Sequence, residues 1–190
     1  MEWFWGDEMV LKHSTESRIV AVIGKPQTGK TRFCYGAVLE AVRSGKKALV
    51  IITNLPYSEV LDNLGSEGKS AESAGNLTIM DCYSWRVGLK TEAKYAVGQL
   101  DDLSHLSALA SKLMKDFPKR SLIVLDSVTT LTLHSKPEDV IKFLDVAFAL
   151  ARKSDLKFLA VVEDGAHDAG FVARIKSLAD DIVETDSEPA

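Results

Sequence analysis

One run concentrates the chemistry of this chain: Ile19-Val20-Ala21-Val22-Ile23-Gly24-Lys25-Pro26-Gln27-Thr28-Gly29-Lys30-Thr31. Five apolar residues lead into Gly-x-x-x-x-Gly-Lys-Thr, the P-loop (Walker A) pattern, and the residues after it read as a helix. Each residue type has a physical task. Gly24 and Gly29 let the backbone curl so that successive N–H groups face phosphate oxygens. The helix that starts near Gly29 adds its unpaired amides and the positive end of its dipole. Lys30 is a mobile cation for the outer phosphates, and the Thr31 hydroxyl is an oxygen ligand for Mg²⁺. The run Gly24, Lys25, Pro26, Gln27, Thr28, Gly29, Lys30, Thr31, with Arg32 following on the helix, is the expected nucleotide cradle. ATP and Mg²⁺ are the expected cofactors.

A cradle of this kind needs a strand before it, a helix after it and an acid on a neighbouring strand. The acid is Asp126. Ser121-Leu122-Ile123-Val124-Leu125-Asp126 is a buried strand that delivers one carboxylate at its C-terminal end, where open α/β sheets bind ligands. It lies about 95 residues past the loop, and with Thr31 it forms the expected metal pair. Two other strand ends carry carboxylates, Asp81 after Leu77–Met80 and Glu163 after Phe158–Val162. They are weaker candidates for activating water, with a structural role or contact with the γ-phosphate as the alternatives; the catalytic residues stay unassigned.

The remaining pattern alternates strands and helices. Phe33, Cys34, Ala37, Val38, Ala41 and Val42 form a helical stripe that ends at Gly45. Ala48–Thr53 is an unbroken apolar run, as in a parallel strand covered on both faces. Asn54-Leu55-Pro56 turns into a short helix, about Tyr57–Leu64, and residues 65–76 read as a polar, mobile loop. Residues 82–99 form the longest irregular stretch, with Arg86, Lys90 and Lys94 in it. Leu103 to Phe117 marks a helix stopped by Pro118, and Ser135-Lys136-Pro137-Glu138 reads as a capping box opening another. A helix around Phe171–Leu178 and a strand Asp181–Glu184 close the series. The expected fold is a three-layer α/β sandwich around a mostly parallel sheet, as one domain over residues 1–190. Residues 1–18 are an N-terminal extension and 185–190 a frayed polar tail.

Composition sets further bounds. The chain has 190 residues, 46% hydrophobic and 26% charged, with a net charge of −4. That is ordinary for a globular protein and offers no general attraction to nucleic acid. Cys34 and Cys82 lack metal-ligand spacing and read as reduced buried thiols, and His134 and His167 have no acid or thiol partner at ligand spacing. No apolar run has membrane-spanning length, so a cytoplasmic protein without membrane insertion is expected. The aromatic start Trp3-Phe4-Trp5 reads either as cover for a sheet edge or as a docking patch.

The Asp126-Ser127 strand end, the Phe158–Glu163 strand with His167-Asp168 after it, and the closing Ala179-Asp180-Asp181-Ile182-Val183 together resemble the KaiC branch of the RecA-like ATPases, over roughly residues 19–184. The resemblance places Lys30 at the ATP and Asp126 at the Mg²⁺. It also implies rings or filaments with nucleotide between subunits. Two departures stand out. Where that family carries a glutamate, at the end of the second strand, this chain has Thr53-Asn54; neither side chain can accept a proton at neutral pH. Where the family continues into a hairpin with basic residues that reach a neighbour, this chain stops at Ala190, leaving Arg174 and Lys176 as the late cations. The expectation is an ATP-binding regulatory or assembly component with weak hydrolysis, working with a protein partner or with copies of itself. The alternative is a recombinase paralog that binds DNA or modulates a recombination filament.

Overall fold

The computed structural model describes residues 17–185, so the Trp3-Phe4-Trp5 segment and the tail beyond Thr185 lie outside the described residues. The strands are β1 (Ile19–Gly24), β2 (Ala48–Ile52), β3 (Leu77–Asp81), β4 (Tyr95–Ala96), β5 (Leu122–Asp126), β6 (Lys157–Glu163) and β7 (Asp181–Thr185). They form one sheet in the order β4-β3-β2-β5-β6-β1-β7, and every pair is parallel. β1, β2 and β5 are buried at every position. That is why their sequences run apolar without alternation: each face of the sheet meets helices.

The helices are α1 (Lys30–Arg43), α2 (Tyr57–Asn63), α3 (Gly65–Ser73), α4 (Leu103–Met114), α5 (Val128–Leu131), α6 (Pro137–Lys153) and α7 (Ala169–Leu178). Two separate apolar clusters define the layers. Cys34, Tyr35 and Val38 of α1 and Val60, Leu64 and Ala71 near α2 and α3 pack with Val20, Val50, Ile52 and Val124 on one face. Leu106 of α4, Phe148 of α6 and Ile175 of α7 pack with Ile19, Leu49, Ile123 and Phe158 on the other. Phe148 and Phe158 meet edge to face at 5.1 Å, a preferred aromatic geometry. Cys34 and Cys82 are buried and unpaired, and burial pushes the Cys82 thiol up to about 12.

Asp180 ties the chain's first described strand to the far layer. Its carboxylate accepts from the Ile19 amide at 2.9 Å and from the Arg152 guanidinium of α6 at 2.6 Å. These donors outweigh its partial burial and hold the carboxyl below its ordinary value.

Four local expectations are corrected. Residues 65–73 are helix α3, not loop. Gly65, at φ 66°, turns the chain back so that α3 crosses over Leu64. Ala71 is buried there, and the Arg43 fork grips Glu67 at 2.8 and 2.7 Å; tertiary contact overrides the weak helix propensity of Gly and Ser. The capping box at Ser135 does not form. Pro137 takes the first helical position, so Lys136 occupies the cap, and the Ser135 hydroxyl donates to the Leu100 carbonyl at 3.1 Å. Helix α4 stops at Met114, short of Phe117. Thr185 belongs to β7, opposite Gly24, rather than to a frayed tail.

The α3 corner yields a test. Alanine ordinarily favours a helix over glycine by about 1 kcal/mol. A Cβ at Gly68, however, would stand 2.3 Å from the Leu64 Cβ, and Leu64 is buried. Gly68→Ala is therefore expected to destabilise the protein by about 1–3 kcal/mol in urea unfolding. An equal or higher midpoint would show that α3 can lift off Leu64.

Candidate functional site

The connections place the site. β1 and β2 pass to α1 and α2 on one face, while their sheet neighbours β6 and β5 pass to α7 and to α5 and α6 on the other. Chain therefore diverges at the C-terminal ends of these strands and leaves a crevice there, the usual ligand position in such sheets. Gly24–Thr31, Thr53-Asn54, Asp126-Ser127 and Glu163 all lie along this edge. Asp81 lies one strand beyond β2.

The loop between β1 and α1 is a backbone cradle. Gln27 (φ 63°) and Gly29 (φ 85°) take left-handed conformations, which turn successive amides the same way. Gly24 is needed for space rather than for φ: a Cβ there would stand 2.0 Å from the Thr185 Oγ1 and 2.6 Å from the Thr28 Oγ1. Those hydroxyls meet each other at 2.7 Å, and Thr28 also donates to the Lys25 carbonyl at 2.8 Å. Lys25, Pro26, Gln27 and Arg32 are exposed around the buried Thr28 and Lys30. The Lys30 ammonium folds back on the loop and donates to the Gly24 carbonyl at 2.7 Å and to the Lys25 carbonyl. Burial lowers its pKa, against Glu163, Asp126 and Asp164, whose charges favour the ammonium.

Asp126, 1% exposed, faces the first turn of α1. Thr31 donates its hydroxyl to the Asp126 Oδ2 at 2.9 Å, and the Asn54 amide lies 3.5 Å from Oδ1. Burial raises the Asp126 pKa, against Thr31, Asn54 and Lys30. The strand end is locked from behind. Ser127 N–H donates to the Thr53 hydroxyl at 2.8 Å, and that hydroxyl donates to the Ser127 carbonyl at 3.1 Å. The peptide bond between Asp126 and Ser127 is cis.

This arrangement can accept a phosphate chain and a hydrated divalent cation together. One hydroxyl and one carboxylate, both oxygen donors, suit Mg²⁺, which keeps most of its water. Among the described residues no cluster of His, Cys, Asp and Glu could hold a metal by side chains alone. Phosphate arriving without a cation would add its charge to three carboxylates facing one ammonium.

The weaker candidates separate. The Asp81 Oδ1 accepts from the Tyr83 and Ser84 amides, each at 2.9 Å, so this carboxylate organises its own turn; burial works against it, but the Ser84 and Thr91 side chains together with these amides keep its pKa below the ordinary value. Glu163 stands opposite Gly24 across β1 and β6, beside Lys30. Arg86 turns inward, donating to the Thr53 carbonyl at 2.9 Å and lying over Tyr83. Lys176 pairs with Glu184 at 2.7 Å.

Sequence reading missed Thr129. Its hydroxyl accepts from the Glu163 amide at 2.9 Å and meets the His167 Nε2 at 3.0 Å. Which of the two donates follows the imidazole tautomer; burial lowers the His167 pKa, against the charges of Asp168 and Glu163. No spacing rule links residues so far apart in the chain. Thr185 against Thr28 and Tyr35 on α1 were missed for the same reason.

The family model described as "ATPase: KaiC" matches residues 7–174. A UPF0273 protein of Thermotoga maritima is 27% identical over 135 residues, covering 69% of this chain and 55% of that protein. A UPF0273 protein of Pyrococcus horikoshii is 26% identical over 132 residues, covering 67% and 53%. The chain thus spans about half the length of the curated relatives it matches. Among solved structures, a KaiC-like protein of P. horikoshii superposes with a TM-score of 0.67 at 12% identity, covering 88% of this chain and 70% of that one. The flagellar accessory protein FlaH of Methanocaldococcus jannaschii gives 0.66 at 12%, with the same coverage. At that identity the likeness carries the fold alone. Among the described residues no helix is long and apolar enough to cross a membrane.

Asp126 supplies a pH test. A carboxyl whose folded pKa is raised destabilises the fold once the pH passes its unfolded value, near 3.9, and that cost is complete above the folded value. Asp126→Asn is therefore expected to raise the melting temperature of the nucleotide-free protein at pH 7 in EDTA, with the gain fading as the pH falls towards about 4. A lower melting temperature at pH 7 would mean that the bonds from Thr31 and Asn54 outweigh burial.

Proposed function

The chain belongs to the KaiC ATPase family, and on that premise we propose that it binds ATP with Mg²⁺ as a nucleotide-dependent regulatory or assembly component and hydrolyses ATP slowly. Gly24–Thr31 would wrap the phosphates, with Lys30 released from its carbonyls onto the outer ones. Thr31 and Asp126 would hold Mg²⁺, whose charge would offset that of the phosphates.

The end of β2 carries the proposal. Thr53 is committed to Ser127, and Asn54 presents an amide to Asp126. An amide can orient water but cannot take its proton. The same Thr53 carbonyl receives Arg86. Arg86 belongs to the segment that exposes Trp85, Val87 and Leu89 at 57%, 44% and 48%. An exposed apolar display joined to the nucleotide edge by one hydrogen bond suits a surface whose partner affinity depends on the bound nucleotide. With one guanidinium nitrogen held by the Thr53 carbonyl, Arg86 is less available to a phosphate, which favours the switch over the DNA-binding alternative.

Two variants test the proposal. ATP with Mg²⁺ at 100 times its dissociation constant should stabilise the wild type by about 2.7 kcal/mol, and Lys30→Ala should lose this. Wild-type turnover should fall well below about 1 per second, the lower range of phosphoryl-transfer enzymes, and Asn54→Glu should increase it. Wild-type turnover of several per second would overturn the slow-hydrolysis reading. A flat melting temperature with ATP would overturn nucleotide binding.

A further inference from the structure

A buried hydroxyl without a hydrogen-bond partner is costly to a fold and asks for an explanation. The Tyr35 Oη is one: Tyr35 is 6% exposed, and among the described residues its hydroxyl has no partner. Tyr35 follows Thr31 by four residues on α1, so the two share a helix face. Helical side chains lean towards the N-terminus, which carries the Tyr35 ring back over the turn that holds Thr31. The ring packs in the cluster with Ile52 and Val124. Ile52 precedes Thr53 and lies in register with Asp126. The ring thus lies on the α1 face of the sheet, in the cluster that holds the last part of β2 and β5, next to the strand end at Asp126. Asp126 is also the acid that acts most strongly on the Tyr35 hydroxyl, ahead of Glu59 of α2. The Asp126 Oδ1 is itself poorly filled, with the Asn54 amide at 3.5 Å.

We propose that Tyr35 is a positioning residue for the water shell of the divalent cation, its hydroxyl and the Asp126 Oδ1 receiving the hydrogens of one cation-bound water. This rests on the nucleotide and Mg²⁺ reading above. A cation-bound water turns both hydrogens outward and needs two acceptors, and this corner offers two that are unfilled or nearly so. Lys30, Glu163 and Asp164 gather at the end of β1 around Gly24, where phosphate would enter, whereas Tyr35 shares the α1 face of Thr31.

Tyr35→Phe removes one oxygen and tests this without any turnover measurement. Affinity for a fluorescent ATP analogue is measured in EDTA and in Mg²⁺, together with the melting temperature of the nucleotide-free protein. The expected result has two parts. The nucleotide-free variant melts at the wild-type temperature or above it, because no bond is lost, and its affinity in EDTA is unchanged. Its affinity in Mg²⁺ falls about three- to tenfold, the size of one hydrogen bond. A variant that keeps the full Mg²⁺ gain overturns the proposal, and so does one that melts lower or fails to fold, since the hydroxyl then has a structural partner. A wild type that binds the analogue but gains nothing from Mg²⁺ overturns it too, while leaving nucleotide binding in place. A wild type that binds no analogue overturns both readings.

Discussion

A carboxylate buried at the end of a strand must be given hydrogen-bond donors or a cation, and much of this site answers that demand at Asp126. Leu122–Leu125 hold it there because β5 is covered by helices on both faces. Water cannot reach it freely, so Thr31 from α1 and Asn54 from the end of β2 turn towards it. Two donors do not offset burial, and its pKa stays raised. In the proposed reading a divalent cation would offset the burial of this carboxylate, so that a cost carried by the nucleotide-free fold would return as affinity for the ion.

Close packing around the loop follows from the position of β1. It lies between β6 and β7, so its last residue, Gly24, meets Glu163 on one side and Thr185 on the other. No side chain fits at Gly24 without displacing Thr185 or Thr28. The loop is thus seated against the end of β7, and the seat depends on hydroxyl contacts as well as on loop glycines. Asp180, just before the same strand, grips Ile19 and Arg152, so β7 is fixed at both ends.

The parts of the fold legible in the sequence were those that local rules describe. Apolar runs ending in Gly24, Ile52, Asp81, Asp126 and Glu163 announced buried parallel strands, and Gly-x-x-x-x-Gly-Lys-Thr announced the cradle between β1 and α1. Local rules failed where a distant contact decides the conformation. Helix α3 reads as a loop because its Gly and Ser are weak helix formers; Leu64, Arg43 and the turn at Gly65 make it a helix. Ser135 matches a cap pattern, but Pro137 moves the helix start past its reach. Of the site, the residues that touch phosphate and metal in the proposed reading belong to motifs. Those that hold them, Thr53 on Ser127, Thr129 on Glu163 and Arg86 on Thr53, are joined only by the folded chain.

In the proposed reading, an amide rather than a carboxylate after β2 bears on more than proton transfer. A carboxylate at position 54 would face Asp126 where the amide now donates, and two carboxylates at hydrogen-bond range repel unless one is protonated or a cation lies between them. Asn54 removes that repulsion and gives Asp126 a donor instead. Arg86 at the neighbouring carbonyl also sits more easily beside an amide bonded to Asp126 than beside a free carboxylate, which would draw the guanidinium away from Thr53. In the proposed reading the amide at position 54 and the Arg86 tether are thus coupled: the residue that would slow hydrolysis also favours the bond from Arg86 to the Thr53 carbonyl.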